Sequence, residues 1–433
     1  MTNKRIAYYA LGCKLNFAEA SAMATGFEPY GYHLVPFRQE ADIYIINTCS
    51  VTETANKKSR KAIQKAIRTN PHAIIVVTGC YAQLKPDDIS SIDGVDYIMG
   101  AGEKNLVAEM GDKLEKQRKT KILHSDIRKS TGFLSAWSAG ERTRSFLKVQ
   151  DGCDNHCSYC TIPLARGRSR NLPVNELVEQ ARRIAEQGFR EIILTGINIA
   201  DFGKSTGETF LQLLRALGGI DDIDRYRLSS TEPDLLDDEI IEFVLSHPKF
   251  MPHFHIPLQS GSDNMLRLMR RRYDTRLFAG RISKIKKTKP DAFIGIDLIV
   301  GVPGETEILF QESLEFVRSL DVSFVHVFTY SERENTPALT IKPAVPHRIR
   351  KERSLAFHQL CREKEACFYK SQQNQTRPVL FESSVQDGYI HGFTDNYLRV
   401  AVPEDKKLIN RIKHVYLESI NENGIFISKE VNQ

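Results

Sequence analysis

Residues 151–170 read "DGCDNHCSYCTIPLARGRSR", which places Cys153, Cys157 and Cys160 within eight positions and Arg166, Arg168 and Arg170 directly after them. The spacing is Cys-x3-Cys-x2-Cys. A structural zinc site takes four ligands, and neither a fourth cysteine nor a well-spaced histidine pair completes this one. His156 lies between two of the cysteines, but a side chain adjacent to Cys157 would point elsewhere. Three thiolates on a 4Fe–4S cluster leave one iron without a protein ligand, and an open iron can bind a small molecule and pass it an electron. Tyr159 is suited to packing beside such a cluster, and ordinary core packing would account for it equally well.

Downstream and upstream of this loop the chain alternates strand-like and helix-like stretches. The strand candidates are "SFLKVQ", "EIILTG", "RYRLSS", "HFHIPLQ", "FIGIDLIVG" and "FVHVFTYS", and helical stretches separate them, the fourth running without a break through "NMLRLMRRRYDTRLFAGRISKIKKTK". Six such units predict a barrel-like parallel sheet, short of the full eight. Function in these sheets sits at the carboxyl ends of the strands, and the cysteine loop follows the first of them.

The first part of the chain predicts an open parallel sheet. "RIAYYALGC", "ADIYIINTC" and "HAIIVVTGC" are short apolar runs with helical stretches between, and each ends in a cysteine: Cys13, Cys49 and Cys80. Carboxyl ends of strands form the ligand crevice of such sheets, so a shared site is favoured over three unrelated buried thiols. Residues 111–144 break the pattern with Lys, Arg, Ser and Gly, and a basic linker is expected over 116–138. One charged helix from about 347 to 371 carries Cys361 and Cys367, expected to be buried structural thiols. The tail has alternating runs and Asp-Gly, Thr-Asp-Asn and Asn-Gly turns, which predict a small antiparallel barrel, a nucleic-acid binder or a packing module. The expected organisation is α/β: an N-terminal open-sheet domain over 1–115, the linker, a central partial (βα)6 barrel over 139–371, and the small β-barrel over 372–433.

Composition agrees with several buried cores: 433 residues, 41% apolar, and a net charge of +6. The mild basicity fits a polyanionic partner. The N-terminal stretch lacks the apolar core of a signal peptide and no run approaches a membrane span, so a cytoplasmic location without membrane association is expected. Eight cysteines in a reducing compartment point to metal binding before disulfides.

The loop with Cys153, Cys157, Tyr159 and Cys160 resembles the signature of the radical S-adenosylmethionine (SAM) superfamily. The whole chain resembles the methylthiotransferases within it. "LGCKLN", "NTCSVT" and "TGCYAQ" resemble that family's auxiliary-cluster motifs; "HIPLQSGSDNMLRLMRRRY" and "DLIVGVPGET" resemble its core motifs, and the tail resembles the RNA-holding TRAM domain. The resemblance implies two 4Fe–4S clusters, one on Cys13, Cys49 and Cys80 and one on Cys153, Cys157 and Cys160, with SAM as cofactor. It implies that the auxiliary cluster carries the sulfur, that one SAM methylates it, and that a second SAM supplies the radical. The chemistry then belongs to SAM and the clusters, with no side-chain catalyst assigned.

Three branches compete: isopentenyladenosine in tRNA, N6-threonylcarbamoyladenosine in tRNA, and a ribosomal-protein aspartate. "LGCKLN" and "LTGIN" resemble the threonylcarbamoyladenosine branch, which implies transfer of a methylthio group to C2 of that nucleoside in the anticodon loop. Positional resemblance assigns Tyr159, Gly196, Asn198, Ser230 and Gln259 to SAM. It also assigns Arg166, Arg168 and Arg271 to tRNA phosphates or the threonylcarbamoyl carboxylate. tRNA, a one-electron donor such as flavodoxin or ferredoxin and an unidentified sulfur donor are the expected partners. Asn335 in "YSERENTPA" stands where the family usually has Gly. A non-enzymatic iron–sulfur carrier and a zinc-stabilised RNA-binding protein are the contrasting classes.

Overall fold

Ile43–Thr48 and Ile74–Gly79 are buried along nearly their whole length, as strands covered by helices on both faces must be. In the structure, a computed structural model that describes residues 4–139, 143–428 and 431–432, they lie in the middle of an all-parallel sheet. Its strands are β1 (Lys4–Ala10), β2 (Tyr32–Leu34), β3 (Ile43–Thr48), β4 (Ile74–Gly79), β5 (Tyr97–Met99) and β6 (Lys121–Leu123), in the order β2-β1-β3-β4-β5-β6. Alternation sorts their side chains onto two cores. Tyr44, Ile46, Ile75 and Val77 pack on Ile63 and Ala66 of α2 (Glu53–Thr69), whereas Ile43, Ile45 and Val76 meet Met23 and Phe27 on the side of α1 (Lys14–Thr25). Each such burial contributes about 1.5–3 kcal/mol. Residues 116–138, expected as a linker, contain β6, which pairs in parallel with β5 from Tyr97↔Lys121 to Met99↔Leu123 and so extends the N-terminal sheet.

The central domain has all six expected strands: β7 (Arg144–Lys148), β8 (Glu191–Thr195), β9 (Arg225–Leu228), β10 (His253–Gln259), β11 (Phe293–Val300) and β12 (Phe324–Thr329). They form two parallel three-stranded halves, and the parallel bridges Tyr226↔Phe250 and Ser230↔His255 join the halves between β9 and β10. The stretch expected as one helix after β10 is two, Asp263–Leu268 and Thr275–Thr288. Arg270 at φ +57° breaks the first, and the Asp274 carboxylate accepts from Leu277 N–H at 2.8 Å to start the second. Asn335 adopts φ +61°, a left-handed conformation that Asn tolerates better than other side chains, and thereby makes the turn where the family has Gly. Along the helix His347–Gln372, Cys361 is buried and accepts from Val325 N–H, while Cys367 is exposed, contrary to expectation.

The C-terminal strands β13 (Thr376–Gln386), β14 (Tyr389–Thr394), β15 (Arg399–Pro403), β16 (Ile412–Tyr416), β17 (Ser419–Ile420), β18 (Phe426–Ile427) and β19 (Val431–Asn432) form one sheet, antiparallel except for β15 with β18. The sheet docks onto the core through two buried arginines. Arg225 donates to the carbonyls of Pro378 and Phe393, and Arg227 to those of Thr394 and Asp395. No helix among the described residues is long and apolar enough to cross a membrane.

Candidate functional site: two cysteine triplets on adjoining cavities

Cys153, Cys157 and Cys160 occupy the loop after β7. Each sulfur is offered an N–H donor: Asn155 N–H at 3.4 Å to Cys153, Arg271 Nη1 at 3.0 Å to Cys157, and Ile162 N–H at 3.4 Å to Cys160. Donors aimed at sulfur suit thiolates on a metal cluster, whose potential such bonds tune. Burial pushes the Cys153 thiol up to about 11 and the Cys160 thiol up to about 12, so binding metal here must displace protons. Tyr159 is half-buried beside them, with its hydroxyl 3.5 Å from Arg271.

The second triplet is assembled from the sheet. Cys13 caps α1 just beyond β1, Cys49 directly follows β3, and Cys80 directly follows β4. These strands are neighbours, β1-β3-β4, so cysteines 31 or more residues apart share one carboxyl edge. Burial pushes the Cys13 and Cys49 thiols up, and the nearby backbone N–H groups of Asn16 and Val51 act in the opposite direction. Gly12 (φ +92°) lies so close to Cys49 that a Cβ added there would stand 2.7 Å from its sulfur. Six thiols in two groups of three, with N–H donors on the sulfurs of Cys153, Cys157 and Cys160, fit two 4Fe–4S clusters, of which Cys13, Cys49 and Cys80 would hold one and Cys153, Cys157 and Cys160 the other.

Arg166 lies between the two triplets and is 1% exposed. Its guanidinium meets Asp151 at 2.8 Å, Glu19 at 3.2 Å and the Asn16 side chain. Glu19, fully buried on α1, also binds Lys148 at 2.8 Å and Lys104, and Asp151 binds Lys148 at 2.7 Å. Burial favours the neutral Glu19 carboxyl, but Arg166, Lys104 and Lys148 outweigh it and hold its pKa far below the ordinary range. The expectation that Arg166 meets RNA or substrate fails on geometry, because a guanidinium enclosed in this net is out of reach of a phosphate. Arg271 likewise faces inward, toward Cys157, Tyr273 and Glu232. Arg168 alone of the three stands exposed.

Two cavities adjoin the cysteines. One of about 240 Å³ is lined by Tyr159, Cys160 and Gln259. The other, of about 550 Å³, is lined by Cys13, Gly196 and Ser230, and its wall reaches Tyr397 and Arg399 of the C-terminal domain. Asp297 and Phe328 line both. Of the residues assigned to SAM, Tyr159 and Gln259 therefore stand on one side of this wall and Gly196 and Ser230 on the other. Asn198 lies behind them, its backbone N–H on the Gln150 side chain and its buried side-chain nitrogen without a partner. The sequence reading passed over Lys14, His255, Asp297 and His326. His255 Nε2 is 2.9 Å from Asp297, and His326 joins them within 4.8 Å. The only sequence signal of the last three was placement on β10, β11 and β12, whereas Lys14 stood within "LGCKLN".

A parallel half-barrel with a three-cysteine loop after its first strand defines an iron–sulfur enzyme of the radical SAM class. Comparison with known proteins agrees: residues 147–317 match the radical SAM superfamily, and residues 5–100 match the uncharacterized protein family UPF0004. The threonylcarbamoyladenosine tRNA methylthiotransferase MtaB of Bacillus subtilis strain 168 is 37% identical over 95% of this chain and 93% of its own. Its counterpart from Thermotoga maritima is 34% identical over 98% and 96%. The tRNA-2-methylthio-N(6)-dimethylallyladenosine synthase of Acinetobacter baumannii strain ACICU is 30% identical over 99% and 92%. Among solved structures, the radical SAM methyltransferase TsrM of Kitasatospora setae shares the fold at a TM-score of 0.57, 15% identity and 78% and 77% coverage. The chain belongs to the MtaB family of radical SAM methylthiotransferases.

Proposed function

We propose that this protein replaces the C2 hydrogen of N6-threonylcarbamoyladenosine in a tRNA anticodon loop by a methylthio group. The observation that carries the reading is that Cys160 of one triplet and Cys13 of the other line adjoining cavities that share Asp297 and Phe328. C2 of adenine is an aromatic C–H position with no useful acidity for a side-chain base. When bound, SAM and the two 4Fe–4S clusters supply the radical and the sulfur. The chain's residues hold the reactants. Six cysteines ligate, N–H donors and the Arg271 guanidinium set the field around the sulfurs, and the wall between the cavities orients the base and excludes water. Tyr159 and Gln259 on one cavity, and Gly196, Asn198 and Ser230 at the strand ends beyond, are the residues that would hold SAM.

The anticodon loop offers unpaired bases that enter a pocket at low unstacking cost. The C-terminal domain and the exposed Arg168 hold the RNA backbone, so affinity falls as salt rises. A one-electron donor such as flavodoxin or ferredoxin serves the cluster in the cytoplasm. The test offers the reconstituted enzyme two anticodon stem-loops, one threonylcarbamoylated and one isopentenylated, with nucleosides read by mass spectrometry. Gain of one SCH3 in place of hydrogen is expected on the first only. Product on the isopentenylated loop alone, or only on a ribosomal protein, overturns the substrate.

A further inference from the structure

Lys14 follows the cluster ligand Cys13 and lines the 550 Å³ cavity. Among the described residues its ammonium makes no hydrogen bond or ion pair. Its charged surroundings are Tyr397, Arg144, Arg227 and Glu191. Glu191 is the single acid of that group and is already claimed by Arg227 at 3.1 Å and Arg225 at 3.9 Å, while Arg144 pairs more closely with Glu382, at 2.8 Å. The guanidinium of Arg399, on the same wall, is exposed and has no ion-pair partner among the described residues. The acids lining the cavity are Asp297, which meets His255 at 2.9 Å, and Glu365 near Tyr369. Among the described residues Arg144, Arg225 and Arg227 thus have carboxylate partners and Lys14 has none, and the phenol of Tyr397 registers the cations around it. Burial would raise the Tyr397 pKa, yet Lys14, Arg144 and Arg227 turn the net shift downward. Lys14 is half-buried, and a partly desolvated cation without an ion-pair partner gains when an anion docks.

We infer that Lys14, assisted by Arg399, receives the carboxylate of the threonylcarbamoyl group and so selects the substrate. The inference rests on the substrate reading above. Its geometry is economical in one respect. Cys13 and Lys14 have Cα atoms about 3.8 Å apart, and C2 and the N6-bearing carbon of adenine belong to one ring. A ligand of the sulfur-bearing cluster and the receptor for the N6 substituent must therefore lie within a base's width, which adjacent residues satisfy. Positive φ at Gly12 turns the chain so that both face the cavity.

The test uses reconstituted holoenzyme and three anticodon stem-loops: threonylcarbamoylated, the same with the threonine carboxylate converted to a primary amide, and isopentenylated. Binding is read by fluorescence anisotropy and turnover by mass spectrometry. Wild type is expected to bind the carboxylate loop about tenfold more tightly than the amide loop, the scale of a hydrogen bond to a charged group. Lys14→Gln should reduce that ratio to near one, and Lys14→Arg should restore part of it. Affinity for SAM, whose own carboxylate is the rival occupant, should change less than about twofold. A Lys14→Gln protein that keeps the full carboxylate preference, or one in which SAM affinity falls in step, overturns the assignment of Lys14. Wild-type product on the isopentenylated loop alone overturns the substrate reading instead, and the assignment with it.

Discussion

The two cysteine triplets reach similar chemistry by opposite routes. Cys153, Cys157 and Cys160 occupy one loop of eight residues, held by donors from within it, such as Asn155 N–H, or just after it, such as Ile162 N–H. Cys13, Cys49 and Cys80 come from three strand ends and exist as a site only because β1, β3 and β4 are neighbours in register. A loop site is a local structure placed on a scaffold, whereas a strand-edge site is a property of the scaffold itself. Damage to packing should therefore reach the second before the first.

The comparison is broken most severely by removing the thiols. Two clusters predict roughly eight irons per chain after reconstitution. Changing Cys153, Cys157 and Cys160 to Ala should remove about half and abolish reductive cleavage of SAM. The triple Ala variant of Cys13, Cys49 and Cys80 should also lose half, yet still cleave SAM while making no methylthiolated product. Iron analysis with a deoxyadenosine assay decides. A variant of either triplet that keeps all its iron sinks the two-cluster account.

A smaller effect is expected at the net joining the two sites. Glu19→Gln leaves Arg166, Lys104 and Lys148 with less counter-charge in a buried place, and removing one partner of such a pair costs about 3–5 kcal/mol. Because Glu19 sits on α1, the helix that Cys13 caps, auxiliary iron should be lost at a lower urea concentration than loop iron. The sign of the pH dependence follows from the depressed pKa of Glu19 in the fold. Its stabilisation is complete above the unfolded carboxyl value of about 4.3 and fades as pH falls below it. Urea midpoints measured from pH 7 down to pH 3 should therefore decline steeply in wild type and less in the Gln variant; parallel declines would remove Glu19 from the account.

The same contrast explains what could be read before folding. The loop triplet was legible because its ligands are local, and the edge triplet because three apolar runs each stopped at a cysteine. β2, β5 and β6 escaped notice since three residues carry no periodicity, and only their neighbours make them strands. Arg166 was misread as a surface cation because its partner Glu19 is 147 residues away. Lys14 stood in a quoted motif, but lack of a counter-ion is a fact of the fold alone.

The finest discrimination lies in two glycines. Gly12 and Gly152 both precede a first cysteine and both have positive φ, +92° and +72°. Ala at either position costs about 1–2 kcal/mol from backbone strain alone, and the steric consequences differ. At Gly12 the added Cβ meets the sulfur of Cys49 at 2.7 Å, a ligand of the site itself. At Gly152 it meets the Arg168 carbonyl oxygen at 1.9 Å, which is backbone of the strap that follows the loop. Gly12→Ala should thus displace a thiol directly and lower auxiliary iron, with SAM cleavage largely kept. Gly152→Ala should impair SAM cleavage first, because moving the strap shifts Cys153, whose N–H donates to the Gly167 carbonyl at 3.0 Å. Comparing iron content and deoxyadenosine yield in the two single variants tests this division. If both lose the same iron and the same activity, the two sites are one mechanical unit and the contrast between loop and edge does not hold.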